Sequence, residues 1–374
     1  MDYVTLSIQN FLRENGLEAA VAKWNLRVVE EGNLVQLNYH MIDSPNGVQE
    51  CNECRGLILD KANNYSVIAY PFYRFYNESE GHAATPNLSA SVLQEKLDGS
   101  MLILYWHPYN NEWTVATRGT ILASGSVGNL DKTFKDLFWE TVKEAYPLCD
   151  FDVLPTFYTF TFELIGPENR ILNLYEKNEL RLTGARSNYT LHEVEDSGLA
   201  DIAAKLGIPR PKTYSFSTKE SIFEIFETLK PIDEGFVLVD YSTRINGNFQ
   251  RIKIKNPRYL ALHHLLGAGD DDLMNNKRVV RLIRSGDIDE VIVYFPEYEP
   301  QIREMRNRLD NLASSIQSDY ERLKNLGVDK KAFAEEAKKT SWCHALFAIN
   351  NGKAKDAIEF VQETREESLM EMIK

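Results

Sequence analysis

The chain has 374 residues, 26% of them charged, with a formal net charge of −13 and a pI near 5.2. This balance argues against broad nonspecific binding of nucleic acid, although a locally basic groove stays compatible with it. No apolar run approaches the ~20 residues of a membrane helix, and four cysteines are too few for a disulfide framework. We therefore expect a soluble cytoplasmic protein (in the host cytoplasm if the chain is viral), without membrane contacts, that folds as about two domains.

The first 260 residues are predicted to mix short strands and helices. Strands bounded by turn residues are predicted at Leu26–Val29, Leu34–Tyr39, Gly56–Leu59, Val67–Tyr70, Met101–Trp106, Trp113–Thr117, Tyr158–Leu164, Leu180–Ala185, Gly235–Asp240 and Arg251–Ile254. Helices are predicted at 4–13, 17–24, Leu130–Glu144, 196–206 and 219–228. Because strands and helices do not alternate regularly, the pattern favours an α+β fold with a mainly antiparallel sheet over a doubly wound fold.

Apolar residues fall at helical spacing from about residue 260 onward. They step by threes and fours at Ile302, Met305, Leu309, Leu312, Ile316, Tyr320 and Leu323. Pro296 and Pro300 precede this helix and Gly327 follows it, and shorter helices are predicted at 272–284, 330–338, 341–349 and 353–363. The stripe fits either a coiled-coil seam or, as we prefer, the buried face of a small helical domain. We predict domains at 1–265 and 266–374, the second all-helical.

One lysine stands in an unusual position, in the segment Lys96-Leu97-Asp98-Gly99-Ser100 between two strands. An Asp-Gly turn is expected to fix the backbone and so to hold the ammonium group at one point. Lysine becomes a nucleophile only when its pKa is lowered by neighbouring cations or by desolvation. The rest of the chain supplies suitable cations and carboxylates.

Three later strands carry these charges. Glu163 is predicted to point away from the apolar residues of its strand, and Glu234 precedes the apolar strand that starts at Gly235. Lys253 and Lys255 share one face of the next strand, where two ammonium groups side by side require an anion between them. A solvated edge strand is the alternative for the lysine pair. Cys51 and Cys54 form a lone C-x-x-C without the second pair of ligands that zinc needs.

The chain contains, in this order, the patterns K-x-D-G, F-E-L, D-E-G-F-V and K-x-K. This series resembles the motifs of the covalent nucleotidyltransferase superfamily, which includes ligases and mRNA capping enzymes. Further segments resemble the bacteriophage-type ATP-dependent RNA ligases, the family that repairs broken tRNA. These segments are Glu53-Cys54-Arg55-Gly56, Phe72-Tyr73-Arg74-Phe75-Tyr76-Asn77, Arg118-Gly119-Thr120, Pro167-Glu168-Asn169-Arg170-Ile171 and Lys253-x-Lys255-x-x-x-Tyr259. The resemblance covers roughly residues 35–265.

The resemblance implies a nucleotidyltransferase (adenylyltransferase) domain that joins RNA 3′-hydroxyl and 5′-phosphate ends. Lys96 would form a covalent lysyl-AMP with ATP, and the AMP would then pass to the RNA 5′-phosphate. Magnesium or manganese is the implied metal, held by Glu234 or Glu163 directly or through water. RNA, including tRNA, is the implied partner, and we expect a monomer that acts in RNA repair.

The resemblance also implies a set of binding residues. Nucleotide contacts are expected from Tyr39, Arg55, Arg74, Glu95, Leu97, Gly99, Arg118, Glu163, Glu234, Lys253 and Lys255, and contacts to the RNA 5′-phosphate from Arg55 and Tyr259. Arg74 and Arg118 stand where known relatives carry lysine, and Leu37 stands where an aromatic residue would sit. A planar guanidinium in place of a compact ammonium changes the contacts at those two positions.

Two other functions fit parts of the sequence. A DNA ligase or capping enzyme would usually carry a β-barrel after the K-x-K strand, whereas this chain becomes helical. A catalytically silent protein that binds RNA ends would be expected to lose Lys96 or Glu234, and both are present. The helical residues 266–374 are expected to influence the choice of RNA.

Overall fold

The computed structural model describes residues 4–40, 43–128, 130–230, 232–257, 259, 276–285, 292, 298–325 and 330–373. The chain divides into two compact units, Met1–Leu260 and Ala261–Lys374. The domain boundary expected at residue 265 lies outside the described residues and stays a prediction. Within the described ranges, no helix combines the length and the apolar character that crossing a membrane requires.

The strands of the first unit form three sheets. In chain order they are β1 (Leu26–Glu31), β2 (Leu34–Tyr39), β3 (Arg55–Asp60), β4 (Ser66–Ala69), β5 (Tyr76–Asn77), β6 (Ser91–Glu95), β7 (Ser100–His107), β8 (Glu112–Thr117), β9 (Tyr158–Ile165), β10 (Glu179–Ser187), β11 (Thr213–Tyr214), β12 (Gly235–Ile245) and β13 (Asn248–Lys255). The strand orders are β1-β2-β3-β4, β10-β9-β7-β8 and β11-β6-β12-β13-β5, here called the first, second and third sheets. Only β13 and β5 pair in parallel among these strands, which confirms the predicted α+β, mainly antiparallel class.

Helices lie between the strands and form the part of the second unit that the structure describes. Those of the first unit are α1 (Ser7–Asn15), α2 (Leu17–Trp24), α3 (Gln49–Glu53), α4 (Phe134–Ala145), α5 (Asp196–Leu206) and α6 (Lys219–Phe226). Those of the second unit are α7 (Asn276–Ser285), α8 (Glu299–Asn325), α9 (Lys330–Ala337), α10 (Cys343–Asn350), α11 (Ala357–Glu363) and α12 (Glu366–Met372). The predicted helices and strands within the described ranges are all present, with ends that shift by a few residues. Pro300 lies inside the first turn of α8, while Pro296 and Gly327 fall outside the described residues.

Alternation along the strands separates the core from the functional surface. On β9, Phe160, Phe162 and Leu164 are fully buried in an apolar cluster beneath α4 and α5. On β13, Ile252 and Ile254 pack in another cluster against α6. Because successive side chains of a strand point to opposite faces, the charged residues between them face the other way.

The C-x-x-C pair belongs to the core. Cys51 and Cys54 are free thiols, buried under β2 and β3, and burial raises the pKa of the Cys51 thiol to about 11. The main-chain oxygen of Cys54 accepts the N–H of Tyr39 at 2.7 Å. A thiol with a raised pKa is a poor nucleophile, so this pair acts in packing.

The second unit is built around α8. The predicted apolar stripe is buried at Ile302, Met305, Leu309, Leu312, Ile316 and Leu323, whereas Tyr320 is half-buried. Several of its cations pair with acids one turn away, including Arg303 with Glu299 at 2.7 Å. These pairs lie on exposed helix surface, where they contribute little to stability.

Candidate active site

A cavity of about 1210 Å³ lies among the sheets of the first unit. Eleven of the predicted site residues line it: Tyr39, Arg55, Glu95, Lys96, Leu97, Gly99, Arg118, Glu163, Glu234, Lys253 and Lys255. Arg74 and Tyr259 do not. Folding therefore brings together residues that are spread over more than 200 positions of the sequence.

Lys96 lies in a crossing between two sheets. It follows the last residue of β6, and β6 pairs with β12 in the third sheet, whereas the next strand, β7, pairs with β9 in the second. The main-chain N–H of Lys96 donates to the oxygen of Gly235 at 2.8 Å. The strands on either side of the predicted Asp-Gly turn therefore belong to different sheets, and the backbone of Lys96 is fixed by strand pairing as well as by the turn.

Asp98 and Gly99 hold this crossing in place. One carboxylate oxygen of the buried Asp98 accepts the main-chain N–H groups of Leu172 and Asn173, both at 2.8 Å. The other accepts the hydroxyl of Tyr259 at 3.0 Å. A Cβ at Gly99 would overlap the main-chain oxygen of Leu164, so the crossing needs glycine here. Lys96 is thus positioned by hydrogen bonds to Asp98 and by strand pairing.

Glu234 joins the two halves of the charged cluster. Its Oε2 is in an ion pair with the Lys96 ammonium, and its Oε1 lies 3.3 Å from Nζ of Lys255. Glu234 is buried, and it precedes Gly235, whose φ of +125° is one that glycine adopts readily. A carboxylate between two lysines keeps both ammonium groups inside the cavity.

Two groups in the cavity have strongly shifted pKa values. Burial raises the pKa of Glu163 to about 7; the nearby Glu234 adds to this rise, and Lys96 and Arg55 oppose it. Burial also lowers the pKa of Lys253 to about 7, with further lowering by Arg55, Lys96 and Lys255. Strongly shifted pKa values are typical of functional sites, because such sites gather charged groups in a cleft that is partly shielded from water.

Tyr39 lies beside several guanidinium groups. The Arg74 guanidinium carbon is 4.0 Å from the ring centroid of Tyr39, and that of Arg118 is 5.6 Å away. Arg74 also lies 4.9 Å from the ring of Tyr76 and is buried. Arg74 therefore supports Tyr39 from outside the cavity, and its expected contact with the nucleotide stays a prediction.

The remaining predicted residues are placed as follows. The main-chain N–H of Glu95 donates to the oxygen of Lys212 at 2.8 Å, and Leu97 is buried beside Lys96. The hydroxyl of Tyr259 donates to the carboxylate of Asp98, and Tyr259 does not line the cavity. Its expected contact with an RNA 5′-phosphate stays a prediction. The same holds for adenine recognition near Glu95.

The residues present fit a divalent cation that shares its ligands with a substrate. Among the described residues, no group of three or more His, Cys, Asp or Glu side chains could hold a metal ion. Glu163 and Glu234 nevertheless face one cavity, and Glu234 contributes to the raised pKa of Glu163. Magnesium is commonly held by one or two carboxylates together with substrate phosphates and water. The donor set therefore suits a metal that arrives with a nucleotide.

Sequence reasoning missed Phe75. Its ring lies 5.4 Å from the guanidinium carbon of Arg55 and 4.9 Å from Nζ of Lys253, so it connects two cations that line the cavity. Met101 was also missed; its sulfur lies 3.1 Å from Nη1 of Arg55. Phe75 stands within the segment Phe72–Asn77, where an arginine among aromatic residues is the signal that could have identified it.

The chain matches the family model described as RNA ligase over residues 53–259, which is more than half of its length. The chain belongs to the RNA ligase family. It is 25% identical to an RNA ligase of Rhodothermus phage RM378, with 89% of each chain covered. It is 28% identical to a protein of Autographa californica nuclear polyhedrosis virus named as a proposed bifunctional polynucleotide kinase/RNA ligase, covering 99% of this chain and 53% of that one. A solved archaeal ATP-dependent RNA ligase is similar at 15% identity, with 83% of each chain covered and a TM-score of 0.49.

Membership in this family confirms the prediction of an RNA ligase, and with it the prediction that the protein is an enzyme. The matched region of this RNA ligase includes Lys96, Glu163, Glu234, Lys253 and Lys255. It also contains the crossing that positions Lys96. The match begins at Glu53 and so leaves out Tyr39 and the first two strands.

Proposed function

We propose that this RNA ligase is ATP-dependent and that Lys96 is its nucleophile. The observation that carries the proposal is the ion pair between the Lys96 ammonium and Glu234, in a cavity that also holds Lys253 and Lys255. A lysine fixed by its backbone beside two phosphate-binding cations suits attack on a nucleotide phosphate.

The reaction has three displacements at phosphorus. In the first, the neutral amine of Lys96 attacks the α-phosphorus of ATP; the N–P bond forms, the bond to the bridging oxygen breaks, and pyrophosphate leaves. In the second, an oxygen of the RNA 5′-phosphate attacks the same phosphorus and Lys96 leaves, which creates an RNA-adenylate. In the third, an RNA 3′-hydroxyl attacks the RNA 5′-phosphorus, loses its proton and expels AMP. The first two displacements thus attach AMP, a good leaving group, to the RNA 5′-phosphate before the ends are joined.

The side chains of the cavity have separate tasks in the first displacement. The Lys96 ammonium must lose a proton before attack, and Glu234 is the carboxylate in contact with it. Lys253 and Lys255 offset negative charge that develops on the phosphate oxygens. Glu163 and Glu234 would hold the divalent metal, which supplies additional positive charge to the phosphates when bound. Magnesium is the ion we propose, since oxygen ligands suit it.

The biological substrate is proposed on wider grounds. The resemblance to tRNA-repairing ligases supports RNA repair, including tRNA, as the role of this protein. The helices of the second unit are proposed to influence which RNA is chosen, and the protein is proposed to act as a monomer in the cytoplasm.

Incubation of the purified protein with α-labelled ATP and magnesium tests the chemistry. We expect an acid-labile AMP adduct on a denaturing gel and by intact mass, and we expect Lys96→Ala to lack it. The adduct should then pass to an RNA that carries a 5′-phosphate, and RNA with a 5′-hydroxyl should leave it in place. Circular dichroism of Lys96→Ala controls for folding. A GMP adduct with labelled GTP, or an AMP adduct that persists in folded Lys96→Ala, would contradict the proposal.

A further inference from the structure

The cavity extends beyond Lys96 along the first sheet. Its volume of about 1210 Å³ exceeds the roughly 300–1,000 Å³ that is usual for a pocket holding one small ligand. The additional lining comes from β1, β2 and the segments after β8, and includes Arg27, Asn38, Arg118 and Phe134. The cavity therefore has room for a second substrate beside a nucleotide.

Three side chains form a row across the first sheet, which we call the arginine row: Arg27, Asn38 and Arg55. Arg27 on β1 pairs with Asn38 on β2, and Asn38 pairs with Arg55 on β3 just after the register of this pair of strands shifts between Leu37 and Asn38. Adjacent strands lie about 4.8 Å apart, so the main chains at the two ends of the row are separated by about 10 Å. All three residues line the cavity. Arg27 is exposed whereas Arg55 is half-buried, so the row leads from solvent to the interior.

Two arginines in this part of the cavity, Arg27 and Arg118, are not paired with carboxylates of the described residues, whereas Arg55 lies near the carboxyl group of Glu163. Within the described ranges, the side chains of Arg27 and Arg118 make neither an ion pair nor a hydrogen bond with an acid, although the chain carries a net charge of −13. Glu30, on the same strand as Arg27, is in an ion pair with Lys61. Guanidinium groups that are not paired with a carboxylate match the geometry and charge of phosphate oxygens.

Asn38 supplies a polar group in the middle of the row. Its Nδ2 donates to the main-chain oxygen of Arg118. Its Oδ1 is buried and lacks a hydrogen-bond partner among the described residues, and the whole residue is only 7% exposed. A ribose 2′-hydroxyl is a donor that would satisfy this oxygen and that distinguishes RNA from DNA. The half-buried ring of Phe134 gives the same cavity a surface on which a base can stack.

We propose that the arginine row binds the first nucleotides of the RNA strand that carries the 5′-phosphate. The interior end of the row is rich in cations, since Arg55 and Lys253 flank Phe75. A terminal phosphate carries about −1.5 to −2 charges and is drawn to that end, whereas a terminal 3′-hydroxyl is neutral. The strand with the phosphate therefore enters with its end toward Lys96 and its backbone along Arg27. This inference rests on the proposed function.

The variant Arg27→Gln tests the proposal, with Arg13→Gln as the matched control. Arg13 is also exposed in the first unit, but it donates to the oxygen of Asn64 and does not line the cavity. Three rates are measured for each protein: lysyl-AMP formation without RNA, AMP transfer to a 5′-phosphorylated oligonucleotide at varied concentration, and joining of a pre-adenylated RNA at varied 3′-hydroxyl strand concentration. The transfer assay is repeated at several salt concentrations.

We expect Arg27→Gln to raise the concentration of 5′-phosphorylated strand for half-maximal transfer about tenfold, the factor that ~1.4 kcal/mol represents. The salt dependence of this concentration should also weaken by about one phosphate contact. Lysyl-AMP formation and the half-saturating concentration of the 3′-hydroxyl strand should change less than twofold, as should all three rates in Arg13→Gln.

Other results would overturn the inference in distinguishable ways. A shift confined to the 3′-hydroxyl strand would assign the row to the wrong strand, and no shift in either would remove its role in RNA binding. An equal loss of lysyl-AMP formation would place Arg27 in nucleotide binding. Failure of the wild-type protein to form lysyl-AMP would instead contradict the proposed function itself.

Discussion

Replacing Lys253 by arginine keeps a positive charge at the proposed phosphate-binding end of the cavity but removes a group that gains a proton when a ligand binds. Burial and three neighbouring cations lower the pKa of Lys253 to about 7. At pH 8 roughly nine-tenths of this side chain is therefore neutral, at pH 7 about half, and at pH 6 about one-tenth. A bound triphosphate favours the ammonium form, so ATP binding should draw a proton from solution. Arginine stays charged at all three pH values.

The expected difference in proton uptake between wild type and Lys253→Arg is about 0.9 proton per ATP at pH 8, falling to about 0.1 at pH 6. Isothermal titration calorimetry in two buffers of different ionisation enthalpy measures this uptake, with EDTA present to exclude metal. Glu163, whose pKa is also about 7, is present in both proteins and largely cancels in the difference. Equal uptake at pH 8, or a difference that grows toward pH 6, would refute the assignment of Lys253 as a neutral side chain that charges on binding.

Three further predictions concern single features. Lys255→Ala should slow lysyl-AMP formation at least tenfold, because the lysine 3.3 Å from Glu234 is lost, and wild-type adenylylation would contradict its role at the phosphates. Gly235→Ala should lower the free energy of unfolding by ~2–4 kcal/mol in urea titrations, because φ is +125° and a Cβ would overlap the main-chain oxygen of Ile254. The control is Gly81→Ala, where a Cβ would meet open space, and it should change the free energy of unfolding little. Deleting residues 266–374 should change the preference among RNA substrates more than it changes self-adenylylation, and loss of both together would show that the helices are needed to keep the first unit folded.

Local patterns in the sequence were sufficient for most strands and for the direction of the charged side chains. The alternation in Phe160–Leu164 placed Glu163 on the face that lines the cavity, and the alternation in Arg251–Lys255 did the same for Lys253 and Lys255. These predictions depend only on the two-residue period of a strand, which holds whatever the partner strands are.

Features that depend on distant partners could not be predicted. The five-residue helix Gln49–Glu53 is too short to show a period, and the two-residue strands Tyr76–Asn77 and Thr213–Tyr214 exist only through their pairing with β13 and β6. The position of Arg74 behind Tyr39 likewise depends on tertiary packing, since the sequence shows only that a cation lies among aromatic residues. The ion pair of Lys96 with Glu234 joins residues 138 positions apart.

Because Lys96 lies in the crossing between the second and third sheets, its proposed role as nucleophile depends on both sheets at once. Local opening of β6 from β12 would release one side of the lysine, and opening of β7 from β9 would release the other. A newly synthesised or damaged chain in which only one sheet has formed would therefore not position the amine for attack. On the proposed mechanism, covalent labelling by ATP would count the molecules in which the two sheets have folded together, and would measure native protein in a mixed sample.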